Sequence, residues 1–195
     1  MTGIIILAAG NSSRLGHPKQ LLVYKNSTLL EHILEEASGV KDAIVIIVTG
    51  SNHELIEKEI SYSEVKTVFN SDWELGMSSS INAGLTKLLY LFPEIEKCIF
   101  TVCDQPFVTT AIFENLITKY QKTGKGILAS SYAETLGTPV LFDKKYFKAL
   151  LELKGQEGAK KIIHRFLEDT TSVPFEKGNI DIDTEDDYNK LLSGL

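Results

Sequence analysis

The sequence predicts an α/β fold with a mostly parallel sheet and helices on both of its faces. Apolar runs of strand length alternate with segments of helical periodicity along the chain, which is typical of βαβ units. Ile4–Ala9 and Ala43–Val48 are continuously apolar, as expected of strands buried on both faces. At roughly 150 residues per domain, the 195 residues predict a single domain over residues 1–195.

The remaining elements follow from the same two periodicities. Short apolar runs predict further strands at Val65–Phe69, Cys98–Cys103, Gly126–Ala129 and Pro139–Phe142, and a strand or extended piece at Ile180–Asp183. Apolar residues at helical spacing predict helices at Thr28–Ala37, Glu54–Ile60, after Met77 to about Leu91, Phe113–Tyr120, Tyr146–Leu151, Ala159–Leu167 and Glu185–Leu192. Two long polar loops, Gly10–Gln20 and Asn70–Met77, lie between these elements.

Composition excludes several classes of protein. Twenty basic and 26 acidic residues give a net charge of −6, which argues against a general nucleic-acid binder. The chain is 43% hydrophobic and 24% charged, which argues against disorder. No apolar run approaches the roughly 18 residues of a membrane span. Two cysteines are too few for a disulfide framework, and no basic segment precedes Ile4, so we expect a cytoplasmic protein.

Ligands of such sheets bind beyond the carboxyl ends of the strands, and the first loop follows one of those ends. Glycines and small polar residues let backbone N–H groups approach an anion closely. Arg14 and Lys19 add positive charge, and Arg14 is one of only two arginines in the chain. The spacing of Gly10 and Gly16 fits neither a Walker loop nor a dinucleotide fingerprint. From composition alone, a phosphate-binding loop and a merely solvated loop remain equally open.

The motif in this loop carries a resemblance. The pattern L-A-A-G-x-S-x-R-x-G-x-P-K is similar to the N-terminal signature of the nucleotidyltransferases related to molybdenum-cofactor enzymes, and it is met at Leu7, Ala8, Ala9, Gly10, Ser12, Arg14, Gly16, Pro18 and Lys19. The resemblance implies a three-layer, Rossmann-like α/β domain of the nucleotide-diphospho-sugar transferase type. It also implies that Leu7 and the backbone of Ala8–Gly10 meet a nucleotide base, while Arg14 and Lys19 hold its phosphates.

The second loop resembles one subgroup in particular. N-x-x-W-x-x-G-M-x-x-S, followed by A-G-L, is similar to the molybdopterin cytidylyltransferases, and this implies that Gly76 and Ser80 contact the base. The residues themselves also allow a simpler role, in which Ser78 or Ser79 caps the next helix. We expect Trp73 to be a packing anchor rather than a stacking partner of the ligand.

Acidic residues stand at two further points. Asp104 follows the strand Cys98–Cys103, and one or two carboxylates with nucleotide phosphates suffice for Mg²⁺. The family's G-D-x-P motif, here with Cys103 in place of glycine, implies that Asp104 is a metal ligand. The run D-I-D-T-x-x-D-Y resembles the family's C-terminal motif and implies Asp183 as the second ligand, with Asp181 as the second choice. Thr184 is predicted to cap the last helix.

Two more segments resemble family motifs that concern the acceptor, the molecule whose phosphate would receive the nucleotide. Gly137–Phe142 resembles the family's G-x-P-x-x-F strand, and Gly155–Lys160 resembles G-D-x-G-A-R, with Gln156 for Asp and Lys160 for Arg. For both segments a purely structural role, as a strand entry and as a helix N-terminus, is as open as a contact with the acceptor.

The resemblance implies transfer of CMP from CTP to the phosphate of molybdopterin, with release of pyrophosphate. Arg14, Lys19 and Asp104 are the predicted catalytic residues, and Asp104 and Asp183 the predicted Mg²⁺ ligands. Related alternatives are GMP transfer to molybdopterin and nucleotide transfer to a sugar phosphate. A different class is a non-catalytic, cofactor-binding chaperone that docks on a molybdoenzyme.

Overall fold

The computed structural model describes residues 1–60 and 65–194. Its strands are β1 (Thr2–Leu7), β2 (Val23–Tyr24), β3 (Ser27–Thr28), β4 (Ala43–Thr49), β5 (Lys66–Phe69), β6 (Lys97–Val102), β7 (Ile127–Tyr132), β8 (Thr135–Asp143) and β9 (Thr170–Pro174). Its helices are α1 (Leu29–Ser38), α2 (His53–Glu59), α3 (Met77–Leu91), α4 (Thr110–Thr123), α5 (Phe147–Leu151), α6 (Ala159–Arg165) and α7 (Glu185–Ser193). None of the helices in these residues is long and apolar enough to cross a membrane.

Seven strands form one sheet in the order β5-β4-β1-β6-β8-β7-β9. The pairs β1–β4, β1–β6, β4–β5 and β7–β9 are parallel, whereas β8 runs antiparallel to both β6 and β7. The prediction of a mostly parallel sheet is therefore confirmed. The carboxyl ends of β1 and β6 lie side by side, because Leu7 pairs with Val102.

Helices cover both faces of this sheet, which confirms the three-layer architecture. Alternate side chains of β1 face opposite layers: Ile4 and Ile6 pack against α1 and α4, and Ile5 packs against α3, all fully buried. A third, smaller cluster lies outside the sheet and joins the first loop to the terminal helix; its buried residues are Leu15, Leu22, Leu29, Ile182 and Leu191.

Several predicted boundaries are corrected by the structure. β1 ends at Leu7, so Ala8 and Ala9 belong to the first loop. The segment Ile180–Asp183, for which the sequence allowed a strand or an extended piece, is extended and pairs with none of the described strands. β9 and the small hairpin β2–β3 were not predicted from the sequence.

Helix capping is partly as predicted. Thr184 forms a reciprocal capping box with Asp187 at the start of α7, as expected. The expectation that Ser78 or Ser79 caps α3 is wrong, because that helix already begins at Met77 with Gly76 in the N-cap position. Both serine hydroxyls instead donate to backbone carbonyls, Ser78 to Gly155 and Ser79 to Gly76.

Candidate active site

A cavity of about 370 Å³ lies at the carboxyl ends of β1 and β6, beside the start of α3. Eight of the residues predicted from the motifs line it: Leu7, Ala8, Ala9, Gly10, Lys19, Gly76, Ser80 and Asp104. We call it the first cavity. Arg14 and Asp183 are not among its lining residues. Asp183 contacts the lining residue Lys19, and Arg14 contacts Asp183. The fold thus brings together segments that are far apart in the sequence.

The first loop is held by backbone hydrogen bonds to the neighbouring strand. Ala8 N–H donates to the Val48 carbonyl at 2.9 Å, and Ser51 N–H donates to the Ala9 carbonyl at 3.2 Å. A Cβ atom at Gly50 would lie 2.6 Å from that same carbonyl oxygen, so only glycine allows this close approach. The loop therefore reaches the cavity with a fixed backbone.

Lys19 lies between two carboxylates. Its Nζ is 2.5 Å from Asp104 Oδ2 and 2.9 Å from Asp183 Oδ1. Burial disfavours the charged form of Lys19, but the neighbouring charge of Asp104 and hydrogen bonds to both carboxylates outweigh it, so the pKa of Lys19 lies above its ordinary value. Lys19 is therefore a permanently positive group at the edge of the first cavity.

Arg14 extends this charged cluster toward solvent. Its Nη2 donates to Asp183 Oδ2 at 2.9 Å, and its side chain is 67% exposed. Desolvation acts to raise the pKa of Asp183, but its contacts with Lys19 and Arg14 prevail and lower that pKa. Asp183 is therefore ionised at neutral pH, and Arg14, whose side chain is mostly exposed, is accessible to an incoming anion.

Asp104 has one carboxylate oxygen left over. Oδ2 accepts from Lys19, whereas Oδ1 is buried and has no hydrogen-bond partner among the described residues. An unpaired buried carboxylate oxygen is costly unless a cation or donor meets it. The described residues contain no group of three or more acidic, His or Cys side chains arranged for a metal. The unpaired oxygen of Asp104 fits a divalent cation that takes most of its ligands from water and phosphate.

Asp181 occupies a different position from Asp183. It lines a second cavity of about 420 Å³, whereas Asp183 contacts Lys19. Desolvation, together with the negative charges of Asp104 and Asp183, raises the pKa of Asp181 to about 6. Cys103 next to this cluster is buried, and burial raises the pKa of its thiol to about 12, so it has little thiolate character.

The second loop is fixed by a close backbone approach. Gly76 has φ 108°, and a Cβ atom there would lie 2.5 Å from the Gly155 carbonyl oxygen, so both conformation and space require glycine. Ser80 is buried, and its hydroxyl accepts from the Asn70 side-chain amide at 3.0 Å. Trp73 packs against the core layer that contains Ile5 and also borders the first cavity.

The second cavity adjoins the first. The two share lining residues, among them Asp104 and Gln156. The second cavity is also lined by Gly137 and Lys160, which come from the two segments that resemble the family's acceptor motifs. Two cavities that meet at a carboxylate can hold two substrates with their reacting groups adjacent. A larger groove of about 690 Å³ lies elsewhere, along the outer side of α3, and borders none of the predicted site residues.

Sequence reasoning missed two buried glutamines in this region. Gln20 is 1% exposed and lines the first cavity, and Gln105 is 2% exposed and lines the second. Each directly follows a predicted functional residue, Lys19 or Asp104. The sequence signal that could have identified them is a large polar side chain next to a motif residue. Only the tertiary structure shows that both glutamines are buried.

A family model for the MobA-like NTP transferase domain matches residues 4–171. The chain belongs to the MobA-like NTP transferase family. As a member it is a nucleotidyltransferase, a class that binds a nucleoside triphosphate and a phosphate acceptor. The resemblance drawn from the motifs is therefore confirmed.

Individual relatives agree with this family. The chain is 26% identical over 186 residues to the molybdenum cofactor cytidylyltransferase of Escherichia coli K12, covering 94% of this chain and 92% of that protein. A solved structure of the Rv0371c homolog from Mycobacterium sp. strain JC1 has a TM-score of 0.86 and 30% identity, covering 99% and 96% of the two chains. The manganese complex of Rv0371c from Mycobacterium tuberculosis H37Rv has a TM-score of 0.83 and 26% identity over 100% and 99% of the chains.

More distant structures share the fold alone. Examples are the molybdopterin-guanine dinucleotide biosynthesis protein A of Archaeoglobus fulgidus, with a TM-score of 0.72 and 18% identity, and the 4-diphosphocytidyl-2C-methyl-D-erythritol synthase of Anaerococcus prevotii, with 0.76 and 17%. The names of these proteins differ in both nucleotide and acceptor, so the fold does not choose the substrates. None of the relatives named here supports the expected docking on a molybdoenzyme.

Proposed function

We propose that this MobA-like transferase moves CMP from CTP to the terminal phosphate of molybdopterin. An oxygen of that phosphate attacks the α-phosphorus of CTP, the bond to the β-phosphate oxygen breaks, and pyrophosphate leaves. The observation that carries the proposal is the meeting of two cavities at Asp104, one lined by the nucleotide-motif residues and the other by the acceptor-motif segments.

The chain's own residues act mainly by position and charge. The attacking phosphate is already anionic, so no protein nucleophile or strong base is required. Lys19 lines the first cavity, contacts Asp104 where the two cavities meet, and offsets the negative charge that accumulates around the α-phosphate. Arg14, which is mostly exposed, receives the outer phosphates and the departing pyrophosphate. Because Asp104 and Asp183 balance the charges of Lys19 and Arg14, a bound divalent cation would be needed to give this site of a protein with net charge −6 a positive field for two anions.

We propose Mg²⁺ as the cofactor, held by Asp104 and Asp183. The unpaired Oδ1 of Asp104 and the ionised Asp183 are suitable hard oxygen ligands. When bound, the ion would neutralise phosphate charge at the reacting centre. The manganese complex of the Rv0371c structure supports a divalent cation in this family.

The choice of CTP rests on the second loop and on the curated relative. Gly76 and Ser80 border the first cavity in the segment that resembles the cytidylyltransferases. A guanine base would need partners for N1–H, the N2 amine and O6, and a site built for cytosine leaves those groups unpaired. We therefore expect CTP to be used in preference to GTP.

One assay tests substrates and chemistry together. The purified protein is incubated with Mg²⁺, molybdopterin and each of the four ribonucleoside triphosphates, and pyrophosphate release is followed. CTP is expected to give the fastest turnover. A preference for GTP, or turnover with a sugar phosphate in place of molybdopterin, would contradict this assignment while leaving the nucleotidyltransferase class intact.

Lys19→Ala provides the matched test of the catalytic site. We expect kcat/KM to fall about 10²-fold or more, as for the loss of one group that stabilises transition-state charge. The control is Lys41→Ala, which removes an exposed lysine outside both cavities. Wild-type turnover in Lys19→Ala, with an unchanged melting temperature, would remove Lys19 from the site.

A further inference from the structure

Gln20 makes an unusual connection inside the first loop. Its side-chain Nε2 donates to the carbonyl oxygens of Ala8 at 2.8 Å and Gly10 at 3.1 Å. Both hydrogens of the amide are used, so its orientation is settled: the reversed amide would place an oxygen against two carbonyl oxygens. The side chain is 1% exposed and therefore has little freedom to leave this position.

These two hydrogen bonds fix the orientation of two peptide planes in the first loop. In a trans peptide the N–H points opposite to the carbonyl of the preceding residue. Since Gln20 holds the carbonyls of Ala8 and Gly10, the N–H groups of Ala9 and Asn11 point away from Gln20. Ala9 and Asn11 both line the first cavity. The Ala9 carbonyl between them is held separately by Ser51 N–H.

Gln105 offers an internal comparison. It is equally buried, and its Nε2 donates to the Gly178 carbonyl at 2.7 Å while its Oε1 accepts from the Thr138 hydroxyl at 3.2 Å. Gln105 thus satisfies both ends of its amide and lines only the second cavity. Gln20 instead leaves Oε1 buried with no hydrogen-bond partner in the part of the chain described. A side chain that served stability alone would not need to incur that cost.

We infer that Gln20 is a positioning residue for the nucleotide. Its amide sets the loop so that the N–H groups of Ala9 and Asn11 are ready for acceptor atoms of the bound nucleoside triphosphate. Gln20 itself need not touch the reacting atoms. The inference rests on the proposed function, because it assigns the nucleotide to the first cavity.

The test separates nucleotide binding from folding. CTP with Mg²⁺ is titrated by calorimetry into wild type, Gln20→Met, Gln20→Glu and Gln105→Met, and each melting temperature is recorded. Met removes the hydrogen bonds at similar length, and Glu keeps the shape but cannot donate to two carbonyls. We expect both glutamine positions to lose stability, but only the Gln20 variants to bind CTP about tenfold or more weakly, as for a misplaced binding group.

Turnover gives a second readout. In Gln20→Met, KM for CTP should rise with Kd, while kcat at saturating CTP stays within about threefold of wild type, because the loop binds without reacting. If Gln20→Met does not fold, Gln20→Asn, which keeps the amide but is too short to reach both carbonyls, replaces it. Unchanged CTP affinity in the Gln20 variants, or equal weakening in Gln105→Met, would overturn the inference. Failure of wild type to bind any of the four triphosphates would overturn the proposed function and the inference with it.

Discussion

The two carboxylates that hold Lys19 are placed by very different parts of the molecule. Asp104 lies two residues after the end of β6, an inner strand that pairs with β1 on one side and β8 on the other. Asp183 lies outside the sheet, on the segment that joins β9 to α7. That segment is anchored by the hydrogen bond from Ile182 N–H to the Asp104 carbonyl, at 2.9 Å, and by the burial of Ile182 in the small third cluster.

This difference shows how one site can combine a rigid and an adjustable half. The position of Asp104 is set by its attachment to the end of an inner strand whose side chains are buried in both core layers. Asp183 depends on a few contacts, and its side chain is 38% exposed against 17% for Asp104. Regions with few buried contacts open locally at low free-energy cost. We expect the C-terminal half of the site to loosen first when the protein is perturbed.

The largest effect is expected from the carboxylates themselves. Asp104→Asn and Asp183→Asn conserve volume but each remove one negative charge, so each should lower Mg²⁺-dependent turnover about 10²-fold or more. Because we propose that the two hold one ion, the double variant should be little worse than either single variant. Turnover is measured against Mg²⁺ concentration. An Asp104→Asn variant that titrates with Mg²⁺ like wild type would show that this carboxylate is not a ligand.

The next largest effect is expected from truncating Ile182, which anchors the segment that carries Asp183. Ile182 is fully buried, and Ile182→Ala should lower the free energy of unfolding by about 2 kcal/mol or more. Because Asp183 is its neighbour, kcat/KM should fall as well, even well below the melting temperature. The control is Ile95→Ala, which truncates an equally buried residue just before β6, at the end of the sheet opposite the site. Equal loss of activity in the two variants would mean that Ile182 has no particular role in placing Asp183.

A smaller effect is expected at the start of α7. Thr184→Ala removes the capping box with Asp187 and should cost about 1 kcal/mol of stability. Hydrogen exchange should become faster in α7 but not in the central strands. Thr109→Ala is the matched control, since Thr109 occupies the N-cap position of α4 without a side-chain capping bond. If the two variants lose the same stability, the capping box does not account for it.

The smallest effect on the Mg²⁺ dependence of turnover is expected from Asp181→Asn. Asp181 faces the second cavity and lies near Gln105, so its removal should leave the Mg²⁺ dependence of turnover unchanged. Any change should fall on KM for the acceptor rather than on KM for CTP. A loss as large as that of Asp183→Asn would reverse the choice between the two aspartates.

The sequence predicted the parallel half of the sheet better than the other half. β4 and β6 are continuous apolar runs, and their bounds differ by about one residue from those predicted. β9 has the sequence Thr-Thr-Ser-Val-Pro, with only one buried residue, so it carries no strand pattern of its own. It forms because the edge of β7 is available for pairing.

The start of α3 shows why local signals can mislead. Three consecutive serines satisfy the usual preference for a capping residue, and on that basis Ser78 or Ser79 was expected to cap the helix. The backbone of Gly155 instead lies against Gly76 and accepts from the Ser78 hydroxyl. This contact joins residues 77 positions apart, and no local pattern can encode it.

By itself, the sequence determined the order and type of most elements and located the two glycine-containing loops that line the first cavity. Those properties depend on periodicity and on residue type over a few neighbouring positions. Only the tertiary structure decided that β8 runs antiparallel and that Lys19 contacts carboxylates 85 and 164 positions away. It also decided that the buried amide of Gln20 bonds to the backbone of the first loop. The physical reason is that sheet order and burial create these contacts, since a charge or an amide has no partner until the strands have placed one beside it.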